Sequence, residues 1–330
     1  MRAAAALLAA VAIFMGGCHK EEVPVVRMPT ETKTPGTEPI QALRAPRDPA
    51  VRSVARGKNY GLEFGPYSVE VDPTDGGRIV SFALSGRSVV LSRDESPEAY
   101  GSSLWPSPQS DWSWPPPPAL DKGEWKATQE DGALVFESKV DDKLALSVRQ
   151  RITADVASGA LDIEYTLSNR GGTARRVAPW QNTRVRPGGI TLYPSTTATS
   201  PQSTLKLAPQ DGIVWYVHVP SAVHESGKSF GDGTEGWLAQ VDGDLLFVKV
   251  FPDVPPGAQA PGEGEIEIYV HESGRFVEME QQGPYVEIPP GGASTWKVRW
   301  LVRQLPREVA AEGRGRKLVD FVRGVVAASR

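Results

Sequence analysis

The sequence has 330 residues, a formal net charge of −4, one cysteine, 33 glycines and 29 prolines. This weakly negative charge excludes the strongly basic surface that is typical of nucleic-acid-binding proteins, so we expect no nucleic-acid partner. A single cysteine excludes an internal disulfide and a thiolate metal site, so the stability of the fold has to come from a hydrophobic core.

The first predicted element is an export signal. Arg2 precedes an apolar run over residues 3–14, and small residues then lead to Cys18. This order is typical of a secretory signal, and the run is too short for a transmembrane helix, which needs about 20 residues. The end of the segment resembles the signal of bacterial lipoproteins, which implies a signal peptide over residues 1–17 and lipidation, including palmitate, at Cys18. The alternative is an ordinary signal peptide or a short uncleaved anchor that contains a cysteine by chance.

Residues 18–59 are predicted to be a disordered, proline-rich tether. Residues 19–59 contain no Phe, Trp or Tyr, and they contain six prolines. Such a stretch does not bury enough apolar surface to offset the entropy lost on ordering. His19 directly after the cysteine resembles the sorting pattern of outer-membrane lipoproteins. We therefore expect a cell-envelope lipoprotein, attached to the outer membrane through its lipid and facing the periplasm.

Residues 60–305 are predicted to form an all-β domain, a large antiparallel β-sandwich. Apolar and polar residues alternate over 161–168 and 296–303, and less regularly over 144–152. A period of two is typical of strands with one buried and one solvated face. Similar runs lie at 67–72, 78–84, 133–140, 213–219, 244–251, 265–270 and 275–280, with glycine-rich turns between them. About a dozen strands without intervening helices exclude a parallel α/β fold.

Residues 306–330 are predicted to form one amphipathic helix. Leu318, Phe321, Val322 and Val325 recur at three-to-four spacing, while most basic residues of the segment lie elsewhere on the helix. The apolar face either docks on the sandwich, or the basic helix contacts anionic lipid.

Residues 100–118 combine three tryptophans, Trp105, Trp112 and Trp114, with six prolines. Because proline has no backbone N–H, the segment is predicted to be a stiff loop rather than a central strand. Indole rings beside polar side chains such as Gln109 suit a sugar, whose apolar face stacks on an aromatic ring while its hydroxyls hydrogen-bond. Two interpretations remain: at least one ring faces a ligand, or the rings fill the core beneath a long loop.

Several motifs resemble those of galactose-mutarotase-like proteins. Residues 73–79 resemble the early P-x-x-G-G-R-I hairpin of that superfamily, and residues 278–284 and 290–295 resemble its closing E-x-E-x-x-G-P and P-G-x-S/T strands. The segment 104–109, followed by 112–118 and Asp121, is similar to the hallmark of one branch, the DUF4380 family. The resemblance covers residues 60–303 and implies a β-supersandwich whose concave face binds carbohydrate.

The resemblance also directs the search for catalytic residues. In active mutarotases a carboxylate takes the proton from the anomeric hydroxyl and a histidine protonates the ring oxygen. Glu280 is the candidate base, since the resemblance places polar site residues near it, and His218, on a strand face with Tyr216, is the candidate acid. Glu278 and Glu280 share one side of a strand, so these carboxylates hold a base, bind sugar hydroxyls, flank a calcium ion or are simply solvated. The H-x-x-F-N type of motif of active aldose epimerases is absent.

Further candidates for ligand binding lie on other strands. Arg78 follows a Gly-Gly turn, and its guanidinium either clamps a ligand or pairs with an aspartate of that turn. Trp180, Asn182 and Arg184 lie on a strand end that often lines the site in the resembling family. The complete set of candidates is Glu280 and His218 for catalysis, Arg78, Trp105, Gln109, Trp112, Trp114, Trp180, Asn182, Arg184 and Glu278 for ligand binding, and Cys18 for lipidation.

The sequence predicts no cofactor. Spacings typical of a zinc site, a serine nucleophile elbow and a phosphate-binding loop are absent from it, and calcium is left open.

Three hypotheses on function follow. The first is a lipid-anchored envelope protein that binds carbohydrate in a mutarotase-like cleft. The second is an enzyme, an aldose 1-epimerase that uses a Glu/His pair or, more distantly, a polysaccharide lyase. The third is an envelope scaffold without catalytic activity.

Overall fold

The computed structural model describes residues 51–330, so the predicted signal peptide, Cys18 and the tether up to residue 50 lie outside the described residues. Twenty-one strands form within this range. They are β1 (Val51–Arg56), β2 (Asn59–Phe64), β3 (Tyr67–Asp72), β4 (Arg78–Leu84), β5 (Arg87–Ser88), β6 (Ser102–Ser107), β7 (Lys126–Glu130), β8 (Ala133–Glu137), β9 (Leu146–Asp155), β10 (Ala160–Asn169), β11 (Arg175–Val185), β12 (Ile190–Pro194), β13 (Pro209–Gln210), β14 (Ile213–Val217), β15 (Gly227–Gly231), β16 (Trp237–Asp242), β17 (Leu245–Val250), β18 (Ile266–Val270), β19 (Val277–Gln282), β20 (Val286–Ile288) and β21 (Ala293–Gln304).

The strands form two large antiparallel sheets. The eleven-stranded sheet has the order β1-β2-β3-β4-β6-β11-β19-β18-β15, with β5 added to β4 and β20 to β11. The ten-stranded sheet has the order β13-β14-β12-β16-β17-β21-β10-β9-β8-β7. The predicted all-β antiparallel sandwich is confirmed.

The alternating sequence pattern places one face of each sheet in a shared core. Along β10, every second side chain from Leu161 to Leu167 is buried, and the residues between them are only partly covered. Phe82 of the eleven-stranded sheet packs against Phe247 and Trp300 of the ten-stranded sheet, with ring centroids 6.3 and 6.0 Å away. Aromatic contacts of this kind across the two sheets make the interior the main stabilising element of the fold.

Part of the tryptophan–proline segment is a central strand, contrary to the prediction of a loop. β6 lies between β4 and β11, and Pro106 is directly opposite Pro179 of β11. Two prolines fit opposite each other only at a non-hydrogen-bonded position of the antiparallel ladder, where neither strand requires an N–H from the pair. Residues 109–121 do leave the sheet, as a 3₁₀ turn over Gln109–Asp111 and the short helix α1 (Pro118–Asp121).

The C-terminal segment forms two helices instead of the single predicted one. α2 (Arg307–Glu312) ends before Gly313, and α3 (Arg316–Ala327) follows. α3 buries Leu318, Val319, Val322 and Val326 in a second hydrophobic cluster with residues of the ten-stranded sheet. The docked helix is therefore the observed arrangement. Over residues 51–330, no helix is long and apolar enough to cross a membrane.

The sheet begins earlier than the predicted boundary at residue 60. β1 pairs with β2 along its whole length, from Val51 opposite Phe64 to Arg56 opposite Asn59. The sequence gives little sign of this because β1 is a half-exposed edge strand whose Ser53, Arg52 and Arg56 resemble the composition of the tether.

Candidate functional site

The candidate site is built on the outer face of the eleven-stranded sheet, where cross-strand pairing gathers polar residues from five strands. One row runs across the sheet through Phe230, Glu267, Glu280, Asn182 and Ser103, each directly opposite the next. Directly opposite residues of a sheet point to the same side, so this row forms one surface. On the other side of β11, Gln181 and Thr183 contact residues of the ten-stranded sheet, which places the row on the face that points away from that sheet.

Lys228 is at the centre of this surface. Its ammonium lies 2.7 Å from Glu267 Oε2, 3.2 Å from Glu280 Oε2 and 4.5 Å from the centre of the Trp180 ring. The side chain of Lys228 is 23% exposed, whereas both carboxylates are almost completely buried. Burial alone would lower the pKa of Lys228, but the carboxylates of Glu267 and Glu280 outweigh it and raise that pKa above its usual value.

The buried carboxyl groups hold their protons more strongly than ordinary glutamates. Burial raises the pKa of Glu280 to about 8, opposed by Lys228 and supported by the neighbouring Glu267 and Glu278. Burial also raises the pKa of Glu267 and of Glu263, which lies against it. At neutral pH Glu280 is therefore able to exchange a proton instead of being permanently ionised.

Glu278, in contrast, is held as a carboxylate. It accepts hydrogen bonds from Arg184 Nε at 2.8 Å and from Asn182 Nδ2 at 3.0 Å. Burial opposes ionisation of this group, but Arg184 and Asn182 outweigh burial and lower the pKa of Glu278. Arg184 also donates to Ser103 Oγ and lies over the Trp105 ring, so its orientation is fixed from three sides.

Three of the four candidate tryptophans are structural. Trp105, Trp112 and Trp180 are buried and stack edge-on or tilted against one another at centroid distances of 5.3 to 6.4 Å. Each N–H of these rings is used inside the protein: Trp105 donates to Asp121, Trp112 to the Pro106 carbonyl, and Trp180 to Glu280. Trp114 alone is presented to solvent, with 68% of its surface exposed, and it rests edge-on against Trp105. Trp105, Trp112 and Trp180 thus fill the core, whereas Trp114 is exposed and its contact with a ligand stays a prediction.

Trp114 borders a cleft of about 420 Å³. We call it the Trp114 cleft; its walls include Gln109, Ser110, Trp114, Lys228, Phe230 and Glu263. Glu263 is fixed by the backbone N–H of Gln109, which donates to Glu263 Oε1 at 2.8 Å. The cleft therefore joins an exposed aromatic surface to the buried charges around Lys228.

Arg78 lies beneath the site and not in the cleft. Its guanidinium contacts the carboxylates of Asp121 and Asp75 at 3.2 and 3.3 Å and donates to the Tyr100 carbonyl. Asp121 also accepts the Trp105 N–H, so the Arg78 interactions hold the aromatic segment in place. Of the two interpretations given for Arg78, the structure shows the internal ion pair.

His218 is not brought near Glu280. It follows β14 in the ten-stranded sheet, where its ring lies 5.9 Å from that of Tyr216 and its Nδ1 accepts the Gly188 N–H. Burial lowers the pKa of His218, which favours the neutral ring. The predicted acid–base pair of Glu280 and His218 therefore has no shared site: the two residues belong to different sheets.

A cavity larger than the Trp114 cleft lies elsewhere. A groove of about 870 Å³ lies on the ten-stranded sheet beside the chain end, with Lys297 and Arg299 among its lining residues. Arg299 is paired with Asp162 at 2.6 Å and Lys297 with Glu164 at 3.1 Å, so these charges already have partners.

Sequence reasoning missed Lys228, Phe230, Glu263 and Glu267 as site residues. They join the site because β15, β18 and β19 are neighbours in the sheet, which their spacing in the sequence does not reveal. Within residues 51–330, no group of His, Cys, Asp and Glu is arranged to hold a metal ion.

A family model described as "Domain of unknown function (DUF4380)" matches residues 59–303, about three quarters of the chain. The chain belongs to the DUF4380 family. The predicted family is thereby confirmed, and this DUF4380 domain includes every residue of the site described above. No curated protein matches the sequence.

Solved structures show the same fold for this DUF4380 domain. A TPR-domain-containing protein from Parabacteroides distasonis matches with a TM-score of 0.56 and 15% identity, over 75% of this chain and 47% of that one. A galactose mutarotase-like protein from Clostridium acetobutylicum matches with a TM-score of 0.52 and 9% identity, over 77% of this chain and 98% of that one. A putative aldose 1-epimerase from Klebsiella pneumoniae matches with a TM-score of 0.52 and 11% identity, over 79% and 85%. The DUF4380 domain thus has a galactose mutarotase-like fold.

Proposed function

We propose that this DUF4380 protein binds carbohydrate in the Trp114 cleft. The observation that carries the proposal is the exposed Trp114 ring beside convergent polar groups of Gln109, Lys228 and Glu263. An aromatic face takes the apolar side of a sugar ring, and the surrounding donors and acceptors take its hydroxyls. The mutarotase-like fold supports the proposal by analogy, since two matched structures have names that refer to sugars.

Substitution of Trp114 tests the proposal. Isothermal titration with a panel of neutral, amino and acidic oligosaccharides should give saturable binding by the wild type, and Trp114→Ala should weaken it at least about tenfold, because stacking on the ring is lost. Tyr60→Ala is the control, since Tyr60 is another exposed aromatic residue of the same sheet. If no oligosaccharide binds, or if Trp114→Ala binds as tightly as the wild type, the proposal is wrong and a scaffold role is favoured.

A second candidate is sugar-ring chemistry of the aldose 1-epimerase type. It is favoured by Glu280, whose pKa near 8 allows the same side chain to donate and accept a proton at neutral pH. The second proton-transfer group would come from the same cluster, through Glu267 or Lys228, because His218 is on the other sheet. Exchange of α and β anomers followed by NMR tests this candidate: Glu280→Gln should abolish any catalysed exchange, while His218→Gln should not.

The proposal includes attachment to the cell envelope through a lipid on Cys18. Its support is the N-terminal sequence alone, an apolar run that ends at the only cysteine of the chain. Labelling of cells with radioactive palmitate, followed by membrane fractionation, tests it. The wild type should be labelled and found with the outer membrane, and Cys18→Ser should lose the label; an unlabelled wild type would contradict lipidation.

A further inference from the structure

Acids outnumber bases in and beneath the Trp114 cleft. Glu263, Glu267 and Glu280 all lie around one ammonium group, that of Lys228, which influences the ionisation of each. The other buried cation on this face, Arg184, is already matched by Glu278 at 2.8 Å. With Glu280 protonated, as its pKa of about 8 favours at pH 7, Glu263 and Glu267 still share the single ammonium of Lys228. Because an uncompensated carboxylate is costly in a buried site, this surface is short of one positive charge.

The same surface is also short of hydrogen-bond donors. Asn182 Oδ1 and Gln282 Oε1 are buried acceptors with no partner, and Glu280 Oε1 is a third buried oxygen without one. Asn182 is directly opposite Glu280, and Gln282 is two residues further along the same strand, so the three side chains share one face. The amide nitrogens of Asn182 and Gln282 donate to Glu278 and Glu267, which directs both side chains into the acidic group. Buried polar atoms are normally satisfied, so unpaired acceptors mark a place for donors from a ligand.

The walls of the site are suited to an ammonium group in particular. Lys228 Nζ lies 4.5 Å from the centre of the Trp180 ring and 5.4 Å from that of Phe230 while it contacts two carboxylates. Aromatic faces combined with carboxylates attract alkylammonium ions, and here they already bind the one that the chain provides. Binding of an anionic sugar is disfavoured, because Lys228 is already neutralised and further carboxylates surround it.

We infer that the Trp114 cleft selects saccharides that carry a free amino group, whose ammonium adds the missing positive charge beside Glu263, the carboxylate that lines the cleft, above the unpaired acceptors. This inference rests on the proposed carbohydrate binding and specifies its ligand class. It predicts the order amino sugar, neutral sugar, acidic sugar for decreasing affinity, with the neutral ring still held by Trp114.

Matched ligands separate the inference from the proposal on which it rests. Isothermal titration of the wild-type protein at pH 7 would compare a tetramer of glucosamine with its fully N-acetylated counterpart and with a tetramer of galacturonate. We expect the glucosamine tetramer to bind about tenfold more tightly than the N-acetylated one, as one charge-assisted hydrogen bond allows. Equal or tighter binding of the N-acetylated tetramer overturns the inference and leaves carbohydrate binding intact, whereas no binding of any tetramer overturns both.

Removal of a carboxylate charge tests where in the cleft the preference for glucosamine arises. Glu263→Gln keeps the acceptor for the Gln109 N–H but removes the charge at the mouth of the cleft, and it should reduce the preference for glucosamine over N-acetylglucosamine at least about threefold. Glu287→Gln, at an exposed position of β20 in the same sheet, is the control and should leave the preference unchanged. A preference that survives Glu263→Gln would assign it to general electrostatic attraction and overturn the inference.

Discussion

At the scale of single residues, two glutamates of one strand respond to their surroundings in opposite ways. Glu280 and Glu278 are both buried on the same face of β19, but Glu280 shares one ammonium with other acids, whereas Glu278 has its own arginine and an amide. Burial, offset only in part by Lys228, raises the pKa of Glu280 to about 8, whereas Arg184 and Asn182 outweigh burial and lower the pKa of Glu278. Local pairing, and not burial alone, decides the protonation of each group.

This contrast predicts opposite pH dependences of stability for two matched variants. A raised pKa in the folded state means that stability is lost as pH rises from about 4.5 to 8, so Glu280→Gln should gain roughly 2–5 kcal/mol relative to the wild type over that range. The lowered pKa of Glu278 gives the reverse: Glu278→Gln should be less stable than the wild type at neutral pH, and the deficit should shrink as pH falls below about 4.5. Urea unfolding at several pH values measures both, and equal signs for the two variants would contradict the assignment.

Lys249 shows how burial changes the pKa of a basic group. It is fully buried between the sheets, where its Nζ donates to Thr183 Oγ1 at 2.8 Å and to the Met279 carbonyl at 3.0 Å. Burial lowers the pKa of Lys249 well below its usual value, with the charge of Glu280 opposing that change only in part. In the unfolded chain the amine is protonated below about pH 10.4, so folding becomes less favourable as pH falls below that value.

Replacement of this buried amine should therefore stabilise the protein. We expect Lys249→Met to raise the free energy of unfolding at pH 7 by about 1–4 kcal/mol, with a gain that diminishes as pH approaches 10. Lys297→Met is the control, because Lys297 lies on the solvent face of β21 and its loss should change stability by less than about 0.5 kcal/mol. A Lys249→Met protein that is less stable at every pH would show that the ammonium is charged and well compensated.

At the scale of elements, the sequence predicts where a strand lies better than it predicts which strands pair with each other. The alternation of Leu161, Ile163, Tyr165 and Leu167 predicted β10 because one face of it meets a core along its whole length. The prolines of β6 predict a loop because they lack backbone N–H groups, but the ladder does not need an N–H from Pro106 opposite Pro179. Periodicity reports burial of a strand, and it carries no information on which strand lies alongside.

The candidate site shows the cost of that missing information. The structure gathers on two adjacent strands five of the candidates that the sequence predicts: Trp180, Asn182, Arg184, Glu278 and Glu280. Lys228 connects them, but it comes from edge strand β15, about fifty residues before β19, in a stretch without strong alternation. His218 was selected for its residue type, and sheet order places it on the other layer. Motif resemblance supplied the correct strands, while the partners across the sheet required the topology.

The element α3 provides a stability test for the C-terminal segment. Leu318 is buried against the ten-stranded sheet, while Arg316 on the same helix is almost fully exposed and pairs only with Asp320. Leu318→Ala should lower the free energy of unfolding by about 2–5 kcal/mol, because it leaves a cavity under the helix. Arg316→Ala should change it by less than about 0.5 kcal/mol. Denaturant unfolding distinguishes them, and equal effects would mean that α3 is not docked in solution.

At the scale of the whole molecule, the outer faces of the two sheets are covered by different elements. The ten-stranded sheet is covered by α3, which adds a second hydrophobic cluster to the main core. The eleven-stranded sheet is covered instead by the aromatic segment, whose Trp105 and Trp112 pack down on Trp180 and leave Trp114 at the surface. Stability is thus concentrated in the interior and at α3, which leaves the polar outer face of the other sheet free to bear the buried charges of a binding site.

Truncation can distinguish the domain start predicted from the sequence, residue 60, from the start of the sheet in the structure, Val51. A chain that lacks residues 1–46 keeps every contact described above, so its thermal unfolding and its oligosaccharide affinity should match those of the full chain. A chain that lacks residues 1–58 also loses β1, and with it the ladder to β2, the packing of Val51 on the core and the hydrogen bond between Ser53 and Gln129 of β7. At about 0.5–1.5 kcal/mol net for each hydrogen bond, partly offset by the entropy of a shorter chain, this loss should lower the free energy of unfolding by about 2–4 kcal/mol.

Equal stability of the two truncated chains would restore the boundary at residue 60 and make β1 an accessory strand. Because β1 lies at the opposite edge of the sheet from β15, the shorter chain should still bind oligosaccharide under conditions in which it is folded.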